Sequence, residues 1–305
     1  MRRHRTTAPF LRGIFLPLLL VGLAAGAILA SPSGAEGEGA VATGGTVPKL
    51  VFPLVAKTLL WDNYGDPRGN GSHAGIDMEN PWRAPVVAVE PGKVGYATSN
   101  LGGCMLYLYG RSGTTYMYIH LNNDLGPRND NKGGCVAGTT YAAADGSSVL
   151  AGQQIAFNGD SGDANGNPHL HFEVHPSGGA DVNPFPHLKR ATKALFAART
   201  GSLYSLALRG RVLTAGEGTV RLLVTSVRSY PGGRWLAIDQ RTVELGVPPE
   251  SAAEQQLARA VGTHSLAATK TQARVAVFTT KARATPEALV GAPGALTASR
   301  ISALR

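Results

Sequence analysis

Short runs of alternating hydrophobic and polar positions mark much of the chain, and they predict its elements. In 169–175 (HLHFEVH), Leu170, Phe172 and Val174 alternate with His169 and His171. Positions i and i+2 of a strand share a face. One side of this run is therefore predicted to enter a core while both imidazoles face the other way. Residues 114–120 (TTYMYIH) are β-branched and aromatic, and they predict a strand that places Tyr116 and Tyr118 on the face of His120. Strands are also expected at 104–110 and within 85–98, the latter with a hairpin or bend at Pro91-Gly92. Residues 122–148 are polar and rich in Asn, Gly and Asp, and form a long loop of the kind that is often functional. No helical period stands out between 50 and 190. The expectation is a mainly β, antiparallel sandwich or split barrel with a groove.

The character changes past Pro186. Residues 189–199 (KRATKALFAAR) suggest a short basic helix. Two strands, 219–230 and 234–245, meet at Pro231-Gly232-Gly233. Ser251 and Glu254 form a capping box that opens a helix running to Val261, with Gly262 as its stop. A strand at 273–279 and a basic tail complete the pattern. Residues 200–305 thus read as a small C-terminal α+β segment. Binding of a target surface, docking on the preceding domain and simple packing are its candidate roles. His264 is expected at the surface.

The first 30 residues stand apart: four arginines precede an apolar run from Ile14 to Ala30. This is the pattern of a signal peptide, and an uncleaved anchor is the other reading. Either one puts the body of the protein outside the cytoplasm, secreted or in the cell envelope. Residues 31–48 are small and polar, a flexible linker or tail. The net charge of +9 falls to about +5 without residues 1–30, a mild excess suited to anionic polymers. No run interleaves basic residues with aromatics, so nucleic acid is not the expected partner. The two cysteines, Cys104 and Cys135, would pair in an exported protein and close a loop around His120. Two buried free thiols are the alternative.

Candidate chemistry lies in three short motifs. His169 and His171 are the first. The second is 71–81 (GSHAGIDMENP), where His73 and Asp77 are four apart in a stretch whose Gly71, Gly75, Asn80 and Pro81 argue against a helix. The third is His120. Two histidines and a carboxylate make a three-ligand zinc site with an open fourth position, which is the catalytic type.

HAGID, YIH and HLH, in that order, resemble the motifs of the lysostaphin-type (LytM-like) zinc metalloendopeptidases, which cut the peptide part of bacterial peptidoglycan. YGDPRG, GQQIAFNGDSG and VNP match as well, and the resemblance spans about residues 50–190. It implies one Zn2+ per chain held by His73, Asp77 and His171, with His120 and His169 as the catalytic pair. It implies a peptidase domain over 49–190 acting on peptidoglycan peptide, and does not divide the two catalytic roles. Tyr116 and Tyr118 are then either groove wall or donors to an oxyanion, and His175 and His187 bystanders. Three rival readings remain: a non-catalytic regulator of another wall hydrolase, a D-alanyl-D-alanine type zinc peptidase, and a structural zinc protein.

Overall fold

A computed structural model describes residues 46–304 except 70, 217, 263–268 and 271. The expected signal peptide or anchor, nearly all of the linker, and His264 lie outside the described residues. No helix among the described residues is long and apolar enough to cross a membrane.

The strands run in order β1 (Pro67–Arg68), β2 (Gly71–Ser72), β3 (Ile76–Glu79), β4 (Pro85–Val87), β5 (Gly92–Ser99), β6 (Gly103–Gly110), β7 (Thr115–Leu121), β8 (Ser148–Val149), β9 (Gln154–Phe157) and β10 (His169–His175). After α1 (Phe185–Lys189) come β11 (Leu203–Tyr204), β12 (Leu206–Gly216), β13 (Thr219–Ser229), β14 (Leu236–Gly246), α2 (Ala252–Val261), β15 (Thr269–Lys270), β16 (Arg274–Thr279), β17 (Ala282–Arg283), α3 (Pro286–Leu289) and β18 (Ala298–Ala303). The protein is mostly β, and the ladders of its sheets are antiparallel.

The first large sheet has the order β3-β10-β7-β6-β5-β8. One face carries Ile76, Met78, Leu106, Leu108, Tyr116, Tyr118, Leu170, Phe172 and Val174, all fully buried. They pack against Leu50, Phe52 and Leu54 and against Val86, Ile155 and Ala156 of the β4–β9 pair. The alternation in 169–175 produces this directly, since its apolar set enters the core and its histidines do not.

Pro91-Gly92 is a bend between layers, not a hairpin. β4 pairs with β9, whereas β5 joins the large sheet beside β6 and β8. At Gly92 the backbone runs hard against β6, where a Cβ would lie 2.4 Å from the Tyr109 carbonyl oxygen.

A second large sheet has the order β14-β13-β12-β16-β18, with β15 beside β12. Its core holds Leu206, Leu208, Leu222, Val224, Val277 and Ile301, with Leu257 of α2 and Leu289 of α3. The β13–β14 hairpin and α2 form where the sequence predicts them. Ser251 Oγ accepts from the Glu254 N–H, and Gly262 closes the helix at φ 73°. The two cores meet at Leu236, which packs against both.

Two expectations fail here and one strand is unforeseen. The basic helix over 189–199 is instead α1, which ends at Lys189. Beyond it the chain is extended: Thr192 exchanges backbone hydrogen bonds with Leu50 and Phe52, and the Leu195 N–H donates to the Leu289 carbonyl. Ala194, Leu195 and Phe196 are buried along that stretch, and these contacts outweigh their helical propensity. The basic tail holds β18, an edge strand on β16 whose Ala298 and Ile301 enter the core. The 11-residue β12, at the centre of the second sheet, has no counterpart among the expected strands.

Candidate metal centre and groove

The second face of the first sheet is open, and its polar residues line a groove of about 840 Å3. Pairing between β3 and β10 sets Asp77 directly opposite His171 and Glu79 opposite His169. Ile76 and Met78 are buried on either side of Asp77, so the pleat turns its carboxylate into the groove. His73 enters from the loop before β3. That loop crosses close over β10: a Cβ on Gly75 would lie 2.5 Å from the Phe172 carbonyl oxygen and 2.9 Å from His171 Nε2.

Three donor atoms converge. His73 Nε2 lies 3.1 Å from Asp77 Oδ1 and 2.9 Å from His171 Nδ1, and His171 Nδ1 lies 2.9 Å from the same Asp77 oxygen. The outward atoms fix the chemistry of this triangle. His73 Nδ1 sits 2.6 Å from the Asn63 carbonyl oxygen, which only accepts, so Nδ1 carries the proton and Nε2 a lone pair. His171 Nε2 donates to Glu173 Oε1 at 2.9 Å, which leaves Nδ1 facing inward. Arg68 Nη2 donates to the second Asp77 oxygen at 2.7 Å.

Two imidazole lone pairs and a carboxylate oxygen thus face one another, an arrangement that needs a proton or a cation between them. Tetrahedral ligands on zinc stand roughly 3.3 Å apart, so these separations fit zinc after a small expansion. Without metal the proton goes to His171. Burial pushes its pKa down, but the Asp77 and Glu173 carboxylates outweigh that and raise it to about 9. Asp77 is burdened by burial, yet its bonds to His171 and His73 hold its pKa well below the usual carboxylate range.

His120 and His169 stand beside the triangle, ring centroids 4.8 Å apart. His120 Nδ1 donates to the Ser161 carbonyl at 2.9 Å and His169 Nδ1 to the Asn167 carbonyl at 2.8 Å. Both therefore turn an Nε2 lone pair toward the groove. His169 Nε2 is 3.7 Å from Asp77 Oδ1, and His120 Nε2 is 3.7 Å from Asp163 Oδ1. Burial, then the neighbouring His169, lower the pKa of His120 to about 4.

The tyrosines of β7 do not share this face. His120 has φ 62°, a left-handed conformation, and the β6–β7 register slips between Cys104 and Leu106. The slip breaks the alternation and turns the His120 ring into the groove while Tyr116 and Tyr118 remain in the core. There Tyr116 donates to Glu90 and Tyr118 accepts from the Val89 N–H. Neither is groove wall nor oxyanion donor. Met117 and Ile119 line the groove instead.

Three further site residues, Glu173, Arg68 and Asn63, lie outside the sequence-predicted set. Glu173 has a signal, since it lies in phase with His171 and bridges that ring to His175 Nε2 at 2.7 Å. His175 lies outside the groove, and His187 contacts Arg190. Cys104 and Cys135 form a disulfide that ties the long loop to β6. Within the loop Asn122 and Asp124 are buried, and both accept from the Trp82 indole N–H. No residue past 200 lines the groove among the described residues.

The sequence model of peptidase family M23 matches residues 71–184. Among solved structures, the catalytic domain of the antimicrobial peptidase lysostaphin from Staphylococcus simulans is 28% identical, with 44% of this chain and 92% of that chain covered at a TM-score of 0.35. A point-mutant catalytic domain of the prophage-encoded M23 protein EnpA from Enterococcus faecalis is 26% identical over 43% of this chain and 95% of that one, at a TM-score of 0.32. A zinc-containing peptidase from Vibrio cholerae is 23% identical over 44% and 39%, at a TM-score of 0.35.

Proposed function

We propose, from the match of the peptidase family M23 model to residues 71–184, that this chain is a zinc metalloendopeptidase that hydrolyses a peptide bond in bacterial peptidoglycan. The observation that carries this reading is the triangle of His73 Nε2, Asp77 Oδ1 and His171 Nδ1, with its outward atoms held by Asn63, Arg68 and Glu173. These three side chains would hold the metal. Bound zinc supplies a water of lowered pKa and a Lewis acid for the scissile carbonyl.

His120 and His169 do the proton work. Each offers an unprotonated Nε2 to the groove, and the low pKa of His120 keeps it neutral in mildly acid and neutral solution. One accepts a proton from the attacking water and passes it to the leaving amine. The other, when protonated, donates a hydrogen bond to the developing oxyanion. The groove is open to solvent along the sheet face and admits an extended peptide.

The disulfide and the basic-then-apolar N-terminus support work outside the cytoplasm. The test is mass spectrometry of fragments released from purified peptidoglycan, with and without a zinc chelator. Chelator-sensitive appearance of new amino ends is the expected result and identifies the bond. An intact, zinc-loaded protein that releases nothing would refute catalysis.

A further inference from the structure

The positive charge of this protein is segregated. Residues 49–200 hold 12 Lys and Arg against 12 Asp and Glu, whereas residues 201–305 hold 13 against 6. The fold gathers much of that excess on one surface. The inner face of the second sheet carries Leu208, Val212, Leu222, Val224 and Val277 into the core. Its outer face carries Arg209 and Arg211 on β12, Arg221 and Arg228 on β13, Arg274 on β16 and Arg300 on β18. All but Arg228 are exposed, and none is within ion-pair distance of a described carboxylate; the one acidic residue set directly opposite one of them is Glu244, across from Arg221 on β14.

Aromatic rings lie among these arginines. The Arg209 and Arg228 guanidiniums stack on Trp235 at 4.0 and 4.8 Å, and that of Arg300 on Phe278 at 3.9 Å, with Tyr230 beside it. Stacking fixes the plane of a guanidinium while leaving its N–H edge free, so less entropy is lost when that edge binds an anion. Arg211 and Arg274 face each other directly across β12 and β16. Like charges in that position cost stability unless an anion lies between them.

We propose that this face binds a phosphodiester-bearing polysaccharide of the bacterial wall and holds the enzyme on its substrate layer. Guanidinium forks match phosphate oxygens in pairs. Exposed guanidiniums spread over four adjacent strands suit an extended polymer rather than a small molecule. Arg209 and Arg211 stand one i, i+2 step apart and Arg211 and Arg274 one strand spacing apart, about 5 to 7 Å, so successive phosphates of one chain meet successive guanidiniums there. The choice of the wall as the source of that polymer rests on the peptidoglycan reading above.

The test is sedimentation of the full-length protein with purified walls, in chelator so that nothing is cut. The R211Q/R221Q/R274Q variant removes three charges that stack on no ring. Wild type is expected to bind intact walls in about 50 mM salt and to be released in about 500 mM, where exposed charges are screened. The variant and phosphate-stripped walls should each weaken binding at least about tenfold, since each Arg near an anionic surface contributes appreciably. A thermal melt of the variant no lower than wild type shows that its fold is intact. Equal binding by the variant, equal binding to stripped walls, or capture by phosphatidylglycerol vesicles in preference to walls would overturn the proposal. A protein that binds walls in this way yet releases no amino ends without chelator would leave this face standing and sink the catalytic reading.

Discussion

Asp77 and His171 are direct partners across the β3–β10 ladder, and the distance between their donor atoms is 2.9 Å. This pairing joins a motif near the start of the domain to one near its end. Because His169 is two residues from His171, the pleat sets its ring on the same face, beside the triangle without belonging to it.

That geometry separates the roles of the two histidines. His171→Ala removes an inward donor and is expected to abolish both zinc retention and hydrolysis. His169→Ala leaves the triangle whole and should retain the metal while losing activity, by roughly a hundredfold or more for a lost proton-transfer group. Metal content by atomic absorption beside a peptidoglycan assay checks both. Equal zinc loss in the two variants would contradict this division of roles.

Glu173 acts through His171. Its carboxylate holds the ring's Nε2 proton and so keeps the Nδ1 lone pair aimed inward. Partners of this kind typically contribute roughly ten- to a hundredfold in metal affinity. Glu173→Ala is expected to weaken zinc binding by that amount in a competition titration, with Glu173→Gln, which still accepts a hydrogen bond through its carbonyl oxygen, between it and wild type. An unchanged affinity in both variants would leave Glu173 with a packing role only.

Side-chain period alone makes part of this structure legible in the sequence. The HLHFEV strand, the β13–β14 hairpin and the Ser251 cap are written in residues that contact one another locally. The histidines that reach the groove stand out in the sequence as three short motifs, but the contacts that unite them are long-range. The position of Tyr116 and Tyr118 is not written this way, because one left-handed residue at His120 undoes the phase that a regular strand would keep. The loss of helix in 189–199 is likewise non-local, since its backbone partners are Leu50, Phe52 and Leu289. β12 is hidden because its alternation is interrupted by Gly210 and by an extra residue near Leu213, where the register shifts. Arg68 and Asn63 become site residues only when β3 brings Asp77 to them.

The buried imidazoles make stability depend on pH in two separate windows. His120 has a folded pKa of about 4 against 6.5 for an exposed ring. As pH falls from 6.5 to 4 the unfolded chain takes up a proton that the native one refuses, and roughly 3 kcal/mol of stability is lost. In the metal-free protein His171 acts oppositely. Its pKa is raised to about 9, so its contribution is present below pH 6.5 and lost as pH rises toward 9. Urea unfolding of the chelated protein should therefore be steeper in the acid window for wild type than for His120→Gln. Imidazole NMR should show His120 neutral down to about pH 4. A His120 that titrates near 6.5 would refute the burial argument and weaken its role as a base that is always ready.

The last prediction concerns Gly75, where the His73 loop crosses β10. An added methyl at that position meets the Phe172 carbonyl oxygen at 2.5 Å and His171 Nε2 at 2.9 Å. Neither can retreat freely. The carbonyl belongs to a strand paired on both sides, and the ring is tied to Glu173. Gly75→Ala should then push the loop and β10 apart, costing about 1–3 kcal/mol for overpacking and opening the His73–His171 distance. The two effects are measured independently, by denaturant unfolding of the chelated protein and by zinc competition. Loss of affinity together with loss of stability is the expected pattern. A stable variant that binds zinc as wild type does would show that the loop can shift without moving His73, and the close crossing would then have no part in holding the triangle.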